Sequence, residues 1–331
     1  MDNVFTRHAQ VRVPLICGPM YPCSNPELVA AVSEAGGLGV IQPLSLTYVH
    51  GYEYRTGLRY IKSLTSQPVG FNALIEASNS AYLERMKQWN DIALEEGIRF
   101  FITSLGDPKW VCARVHAAGG VVYHDVTEAK WARKGADGGV DGLIAVNSRA
   151  GGHAGGKSAE ALFEQLLPFG LPMVAAGGVG TPEEFARHLV MGYAAVQCGT
   201  RFIATPECKA SDAYKQAILL AAEEDIVLTE RLTGVPVAVI RNAYVERRGT
   251  HAGPFARWML RGRRRKYWMR TLYALNSMRR LKQSLSSQET RTDYWQAGRS
   301  VGGIHDTLPV AQIVQSFAAA LVDETKAQIR Q

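Results

Sequence analysis

Eight short apolar runs punctuate the first two thirds of the chain, and their spacing restricts the fold more than any other feature. They lie at residues 13–17 (VPLIC), 38–41 (LGVI), 69–74 (VGFNAL), 99–103 (RFFIT), 121–124 (VVYH), 143–146 (LIAV), 172–175 (PMVA) and 194–197 (AAVQ). Each is short enough for a buried strand. Their starts are about 26 residues apart, room for a strand, a loop, a helix and a return loop. The intervening residues 25–35, 80–96 and 182–191 carry apolar positions at helical spacing and begin near Asn, Ser or Thr-Pro caps. Eight βα units in a row predict an α/β fold, a (β/α)8 TIM barrel, with a doubly wound open sheet as the alternative.

The pattern changes beyond about Thr205. Helical segments follow, then residues 234–240 (GVPVAVI), a basic stretch and a final helix near residues 310–322. The expected organisation is a barrel core over residues 1–205 and, over residues 206–331, a helical appendage packing on the barrel. The tail is too short and irregular for a second barrel. No apolar stretch approaches the roughly 18 residues of a membrane helix. The start, MDNVFTRHAQVRVPL, lacks a basic segment followed by an apolar one, so a cytoplasmic protein is expected. Five scattered cysteines without a C-x-x-C pair support neither a disulfide framework nor a metal site. Cys23, in the loop after the first strand, is a minor candidate for lining a site.

The net charge of +7 is local in origin. Ten Lys or Arg and no acid lie between Arg257 and Lys282, leaving −3 on the remainder. Trp268, Leu272, Leu275, Met278 and Leu285 recur there at steps that give a helix one apolar and one cationic face. Such a helix either docks on the barrel with solvated cations or presents a dock for an acidic partner or a phosphorylated dinucleotide. No nucleic-acid-binding motif accompanies the charge.

In parallel α/β folds ligands sit at the carboxyl ends of the strands. The residues just past each run are Gly18, Pro19 and Met20; Gln42; Asn72; Thr103 and Ser104; His124 and Asp125; residues 147–153; Ala176, Gly177 and Gly178; and Gly199 and Thr200. Glycine turns after the seventh and eighth runs form a phosphate cradle in many barrels, although tight-turn geometry alone also calls for glycine. After the sixth run comes AGGHAGG, whose glycines let the backbone approach a ligand around His153. The plainer reading is a turn with a solvated imidazole. No stretch matches G-x-G-x-x-G, so no separate nicotinamide-binding domain is expected.

GPM at Gly18, AGGLGV at Ala35, FNAL at Phe71, AGGHAG at Ala150, AAGGVG at Ala175, QCGTRFIAT at Gln197 and WQAGRSVGGI at Trp295 together resemble the nitronate monooxygenase family, formerly 2-nitropropane dioxygenase. The family includes FabK-type enoyl-acyl carrier protein reductases and flavin NAD(P)H:quinone reductases. The resemblance spans nearly the whole chain and implies a TIM barrel holding FMN noncovalently. It implies phosphate binding by Gly177, Gly178, Gly199 and Thr200 beside Ala176. It also places Gly18, Pro19 and Met20 along the ring, Asn72 near its polar edge, His124 reaching it from a strand end, Gly151 and Gly152 close by, and His153 as the catalytic residue. The activity implied first is oxidation of alkyl nitronates by O2 to carbonyl compound and nitrite. The alternative is NAD(P)H-dependent reduction of an enoyl thioester or quinone, with an acidic carrier protein at the basic helix. A flavin-free phosphate-binding or partner-docking barrel is the reading from another class. Arg149 departs from the acidic residue usual in the family, which predicts better tolerance of anionic substrates, and His124 stands where relatives often have another polar residue.

Overall fold

The computed structural model describes residues 2–76, 79–232, 234–251, 253, 279–283, 285 and 294–329, the last eight without their side chains. Most of the basic stretch, including Trp268, Leu272, Leu275 and Met278, lies outside the described residues. Eight parallel strands close into one barrel in chain order: β1 (Leu15–Cys17), β2 (Leu38–Ile41), β3 (Val69–Ile75), β4 (Phe100–Leu105), β5 (Val121–Val126), β6 (Gly142–Val146), β7 (Met173–Ala176) and β8 (Ala195–Cys198). All eight expected runs are strands, displaced by no more than two residues at either end.

A short helix precedes the barrel, α1 (Val4–Ala9). Helices α2 (Pro26–Glu34), α3 (Tyr54–Leu64), α4 (Ser80–Glu95), α5 (Lys109–Ala117), α6 (Ala129–Asp137), α7 (Ala159–Leu166) and α8 (Pro182–Val190) alternate with the strands. Local chemistry sets their starts. Asn79 accepts a hydrogen bond from the Tyr82 amide at the head of α4. Thr181 and Glu184 form a capping box at α8, with Pro182 in the first turn, where its missing N–H costs nothing.

Alternation along the strands divides the core in two. Ile16, Leu38, Val40, Phe100, Ile102, Tyr123, Ile144, Val174 and Ala176 fill the barrel interior. Leu15, Cys17, Phe71, Phe101, Val122, Val126, Leu143, Ala175 and Val196 face the surrounding helices. Helix α1 plugs the amino-terminal end. Phe5, fully buried, meets the rings of Phe100 at 5.7 Å and Tyr123 at 6.0 Å, and His8 Nδ1 is 3.1 Å from the Tyr123 hydroxyl.

After β8 come α9 (Thr200–Ile203), α10 (Asp212–Leu220) and an antiparallel ribbon of β9 (Ile226–Thr229) and β10 (Val237–Ile240), then α11 (Ala243–Arg248) and, near the end, α12 (Val310–Ile329). The tail expected to be helical therefore also contains a β-ribbon. Its last helix is part of the barrel wall: α12 packs between α8 and α2, with Phe317 stacked on Phe185 at 5.0 Å. It takes the eighth helical place, so the rest of the tail is an insertion between β8 and its helix.

Candidate active site

The inward-facing positions at the carboxyl ends of the strands form the floor of an open mouth. Following the alternation, they are Asn72 and Leu74, Ser104, Asp125, Val146, Ala176 and Gln197. Gln197 lies against Gly18, where a β-carbon would fall 2.9 Å from its Cγ. Asn72 Oδ1, Asp125 Oδ1 and Gln197 Oε1 are all shielded from solvent and have no hydrogen-bond partner. Buried polar atoms are ordinarily paired, and three orphans on one floor mark a surface that awaits a polar ligand. Asp125 retains partial access from the mouth, yet protein surrounds its carboxyl closely enough that burial alone raises its pKa to about 7.

His124 does not belong to this floor. On β5, Tyr123 points inward, so His124 points outward, and its ring lies against Gly135 of α6. The Thr103 hydroxyl, also outward on β4, lies 3.2 Å from the Tyr123 carbonyl and 2.8 Å from His124 Nδ1. Burial pushes its pKa down to about 4. On this strand the residue that faces the mouth is therefore Asp125 and not His124.

Parallel pairing of β7 with β8 sets their glycine corners side by side. Gly177 (φ +116) and Gly178 (φ +78) hold backbone conformations that favour glycine. A β-carbon on Gly177 would lie 2.5 Å from both the Ala150 amide nitrogen and Asn147 Oδ1. Among the described residues, neither the Gly178 nor the Gly199 amide donates to another backbone carbonyl. Met20 Sδ approaches the Gly199 side of the pair, and Pro19 is half-buried in the loop after β1. The Thr200 hydroxyl accepts from the Gly298 amide at 2.9 Å.

Asn147, fully buried after β6, joins the histidine loop to these corners. Its side chain donates to the Gly177 carbonyl at 2.9 Å and accepts from the Arg149 amide at 2.8 Å, while its backbone amide donates to the Ala176 carbonyl. A second set of ties comes from the insertion. Ala238 of β10 donates to the Gly152 carbonyl at 2.8 Å, Val239 bridges to Gln296, and Ile240 donates to the Trp295 carbonyl. Gly151 and Gly298 pass so closely that a β-carbon on Gly298 would fall 2.6 Å from the Gly151 amide nitrogen. Gly151, expected near a cofactor, thus has a visible reason for lacking a side chain in this crossing of two backbones.

His153 is solvent-exposed on the loop after β6, with enough protein around it to desolvate the imidazole in part. That partial burial holds its pKa below the usual imidazole value, so it is neutral at pH 7. Arg149, where the chain departs from the family's usual acidic residue, faces two carboxylates. Its guanidinium forms a two-pronged pair with Glu223 of the insertion and approaches Glu184 at 3.9 Å. It serves to clasp the insertion to the barrel. Cys23 does not line the mouth either: it is buried beside Cys208, whose thiol lies 3.7 Å from the Cys23 carbonyl.

A flavin mononucleotide suits this arrangement. It has an anionic end for backbone amides at the glycine corners and a flat ring with an N–H that can donate to an acceptor oxygen of the floor such as Asn72 Oδ1 or Gln197 Oε1. Among the described residues, no helix is long and apolar enough to cross a membrane.

Comparison with known proteins agrees with the architecture. The nitronate monooxygenase family model matches residues 3–320. The chain is 30% identical over 325 residues to a 5-hydroxy-7a-methyl-1-oxo-octahydro-1H-indene-4-carboxyl-CoA dehydrogenase of Mycobacterium tuberculosis, covering 89% of each chain. It is 27% identical to a probable nitronate monooxygenase of Staphylococcus saprophyticus, covering 72% of this chain and 78% of that one. In fold it is similar to FabK from Thermotoga maritima, with a TM-score of 0.81 and 24% identity over 100% of this chain and 99% of that one. The chain belongs to the nitronate monooxygenase family and is a flavin-dependent oxidoreductase.

Proposed function

We propose that this member of the family uses FMN to oxidise or reduce a neutral, carbonyl-activated substrate, an acyl or enoyl thioester, in preference to an alkyl nitronate. One observation carries the choice: Asp125 is the only ionisable side chain among the inward-facing residues of the mouth floor, and no Lys or Arg is among them. A nitronate is an anion. Placed over this floor it would find no fixed cation among the described residues. Arg149, the cation by which the chain departs from the family pattern, is committed to Glu223. A thioester carries no charge at its reacting carbons. The M. tuberculosis relative, by its name, acts on a CoA ester, which supports the same reading.

The flavin, when bound, supplies the two-electron exchange with the substrate carbon. The remaining work falls to side chains. A neutral His153 accepts the proton released from the carbon beside a thioester carbonyl during oxidation, or returns it during reduction. Asn147 holds the loop that carries it, and the ties to Ala238 and Gln296 limit the loop's freedom, which keeps a proton acceptor at one place.

Nitronate oxidation by O2, the activity the family resemblance implies first, is the second reading, favoured by the name of the S. saprophyticus relative. Anaerobic mixing of FMN-loaded protein with an acyl-CoA, with NADH or NADPH, and with a nitronate separates the two by loss of visible flavin absorbance. Bleaching by acyl-CoA, or by NAD(P)H with reoxidation by an enoyl thioester, is expected. Bleaching by the nitronate alone would overturn the thioester reading in favour of the monooxygenase. A colourless protein that takes up no FMN would remove both and leave a phosphate-binding or partner-docking barrel. An acidic carrier protein remains an alternative donor of the thioester.

A further inference from the structure

Asp125 differs from every other ionisable side chain of the strands in facing the mouth. It lies one residue before the end of β5, and the interior residue Tyr123 below it fixes its inward direction. The inward positions on the flanking strands are Ser104 on β4 and Ile144 and Val146 on β6, none of them ionisable at neutral pH. His124 and Lys134 of α6 lie beyond the outer face of the strand, and His153 is in the loop after β6. Asp125 Oδ1 is shielded and unpaired.

A carboxyl in this place costs stability, and the packing of the barrel makes no use of it. The layers beneath it are apolar and complete. We infer that Asp125 is a ligand-contacting residue of the mouth, present as a neutral carboxylic acid that hydrogen-bonds the flavin ring, so that flavin binding takes up one proton. A neutral acid offers one O–H donor and one carbonyl acceptor, which pairs with a ring edge presenting both C=O and N–H. The ionised form would need a cationic partner, and the flanking inward positions supply none.

The sign of the linkage follows. Burial alone already holds the carboxyl at about 7 in the open mouth. An uncharged ring with its edge against it removes its remaining access to water and raises the value further. Between the two values the complex holds a proton that the free protein has lost, so affinity falls as pH rises. The lowered pKa of His153 keeps its own titration below this interval.

The inference rests on the flavin reading, and one experiment separates their failures. Apoprotein is titrated with FMN, and in parallel with riboflavin, which has no phosphate to titrate, from about pH 6 to about pH 9. Wild-type affinity for both is expected to fall by up to about tenfold per pH unit above pH 7, the slope of a single proton. Asp125→Asn and Asp125→Ser are expected to bind with no such slope. A flat wild-type profile, an affinity that rises with pH, or a slope retained in both variants would overturn the inference while leaving the flavin reading intact. No binding of either flavin at any pH would overturn the flavin reading and this inference together.

Discussion

The two ends of the barrel interior are made from the same eight strands, yet they are finished differently. At the amino-terminal end, α1 closes the hole with Phe5 against Phe100 and Tyr123, and the polar Tyr123 hydroxyl is met by His8. At the carboxyl end, the side chains of Asn72, Asp125 and Gln197 keep unpaired atoms. The contrast separates what holds the barrel shut from what the barrel is for: the closed end is complete without a ligand, and the open end is complete only with one.

The largest expected effect is at the open end. His153→Ala should lower turnover by about 10²–10⁴-fold while FMN stays bound. Steady-state rates and the visible spectrum check both halves, and unchanged turnover would remove the imidazole from the chemistry. Phe5→Ala tests the closed end. Deleting this fully buried ring should cost about 3–5 kcal/mol in denaturant unfolding. Flavin affinity below the melting transition should not change; a parallel loss of affinity would show that the two ends are coupled.

A smaller effect distinguishes the ends by pH. The folded pKa of Asp125 is raised above its unfolded value, so between about pH 4 and pH 7 the unfolded chain ionises first and this group destabilises the fold increasingly. Asp125→Asn apoprotein should therefore lose less thermal stability than wild type over that interval, as read by melting temperature. An identical pH dependence would mean that the carboxyl is already ionised in the fold. Smallest of all, Arg149→Ala should cost about 1 kcal/mol or less, because the pair with Glu223 is partly exposed. It should leave kcat/KM for a thioester within about twofold; a large rise in KM would return the guanidinium to the substrate site.

The closed end and the strand framework were legible because periodicity carries them. All eight runs are strands, and the Thr-Pro start of α8 follows from capping chemistry alone. The open end was legible as a set of positions but less so as directions. His124 and Asp125 are neighbours past the same run, and only strand parity, set by whether Tyr123 points in or out, decides which one reaches a ligand. The aromatic Tyr123 was the available signal. The role of Arg149 depended on Glu223, 74 positions away, which no local pattern reveals. The same holds for Gly151, whose missing side chain answers to Gly298. The eighth helix was visible as a helix, but its place in the wall depends on packing against α2 and α8.

The crossing of Gly151 with Gly298 has a consequence for how the molecule is made. A nascent chain that has already emitted all eight strands still lacks the second half of that crossing, the ribbon that pairs with Gly152, and the helix that completes the wall. Contacts so distant along the polypeptide form late, since a long loop must close before they repay it. The histidine loop therefore acquires its final shape only when synthesis is nearly finished, and a product cut short after β8 would contain the imidazole without the strap that holds its loop in place.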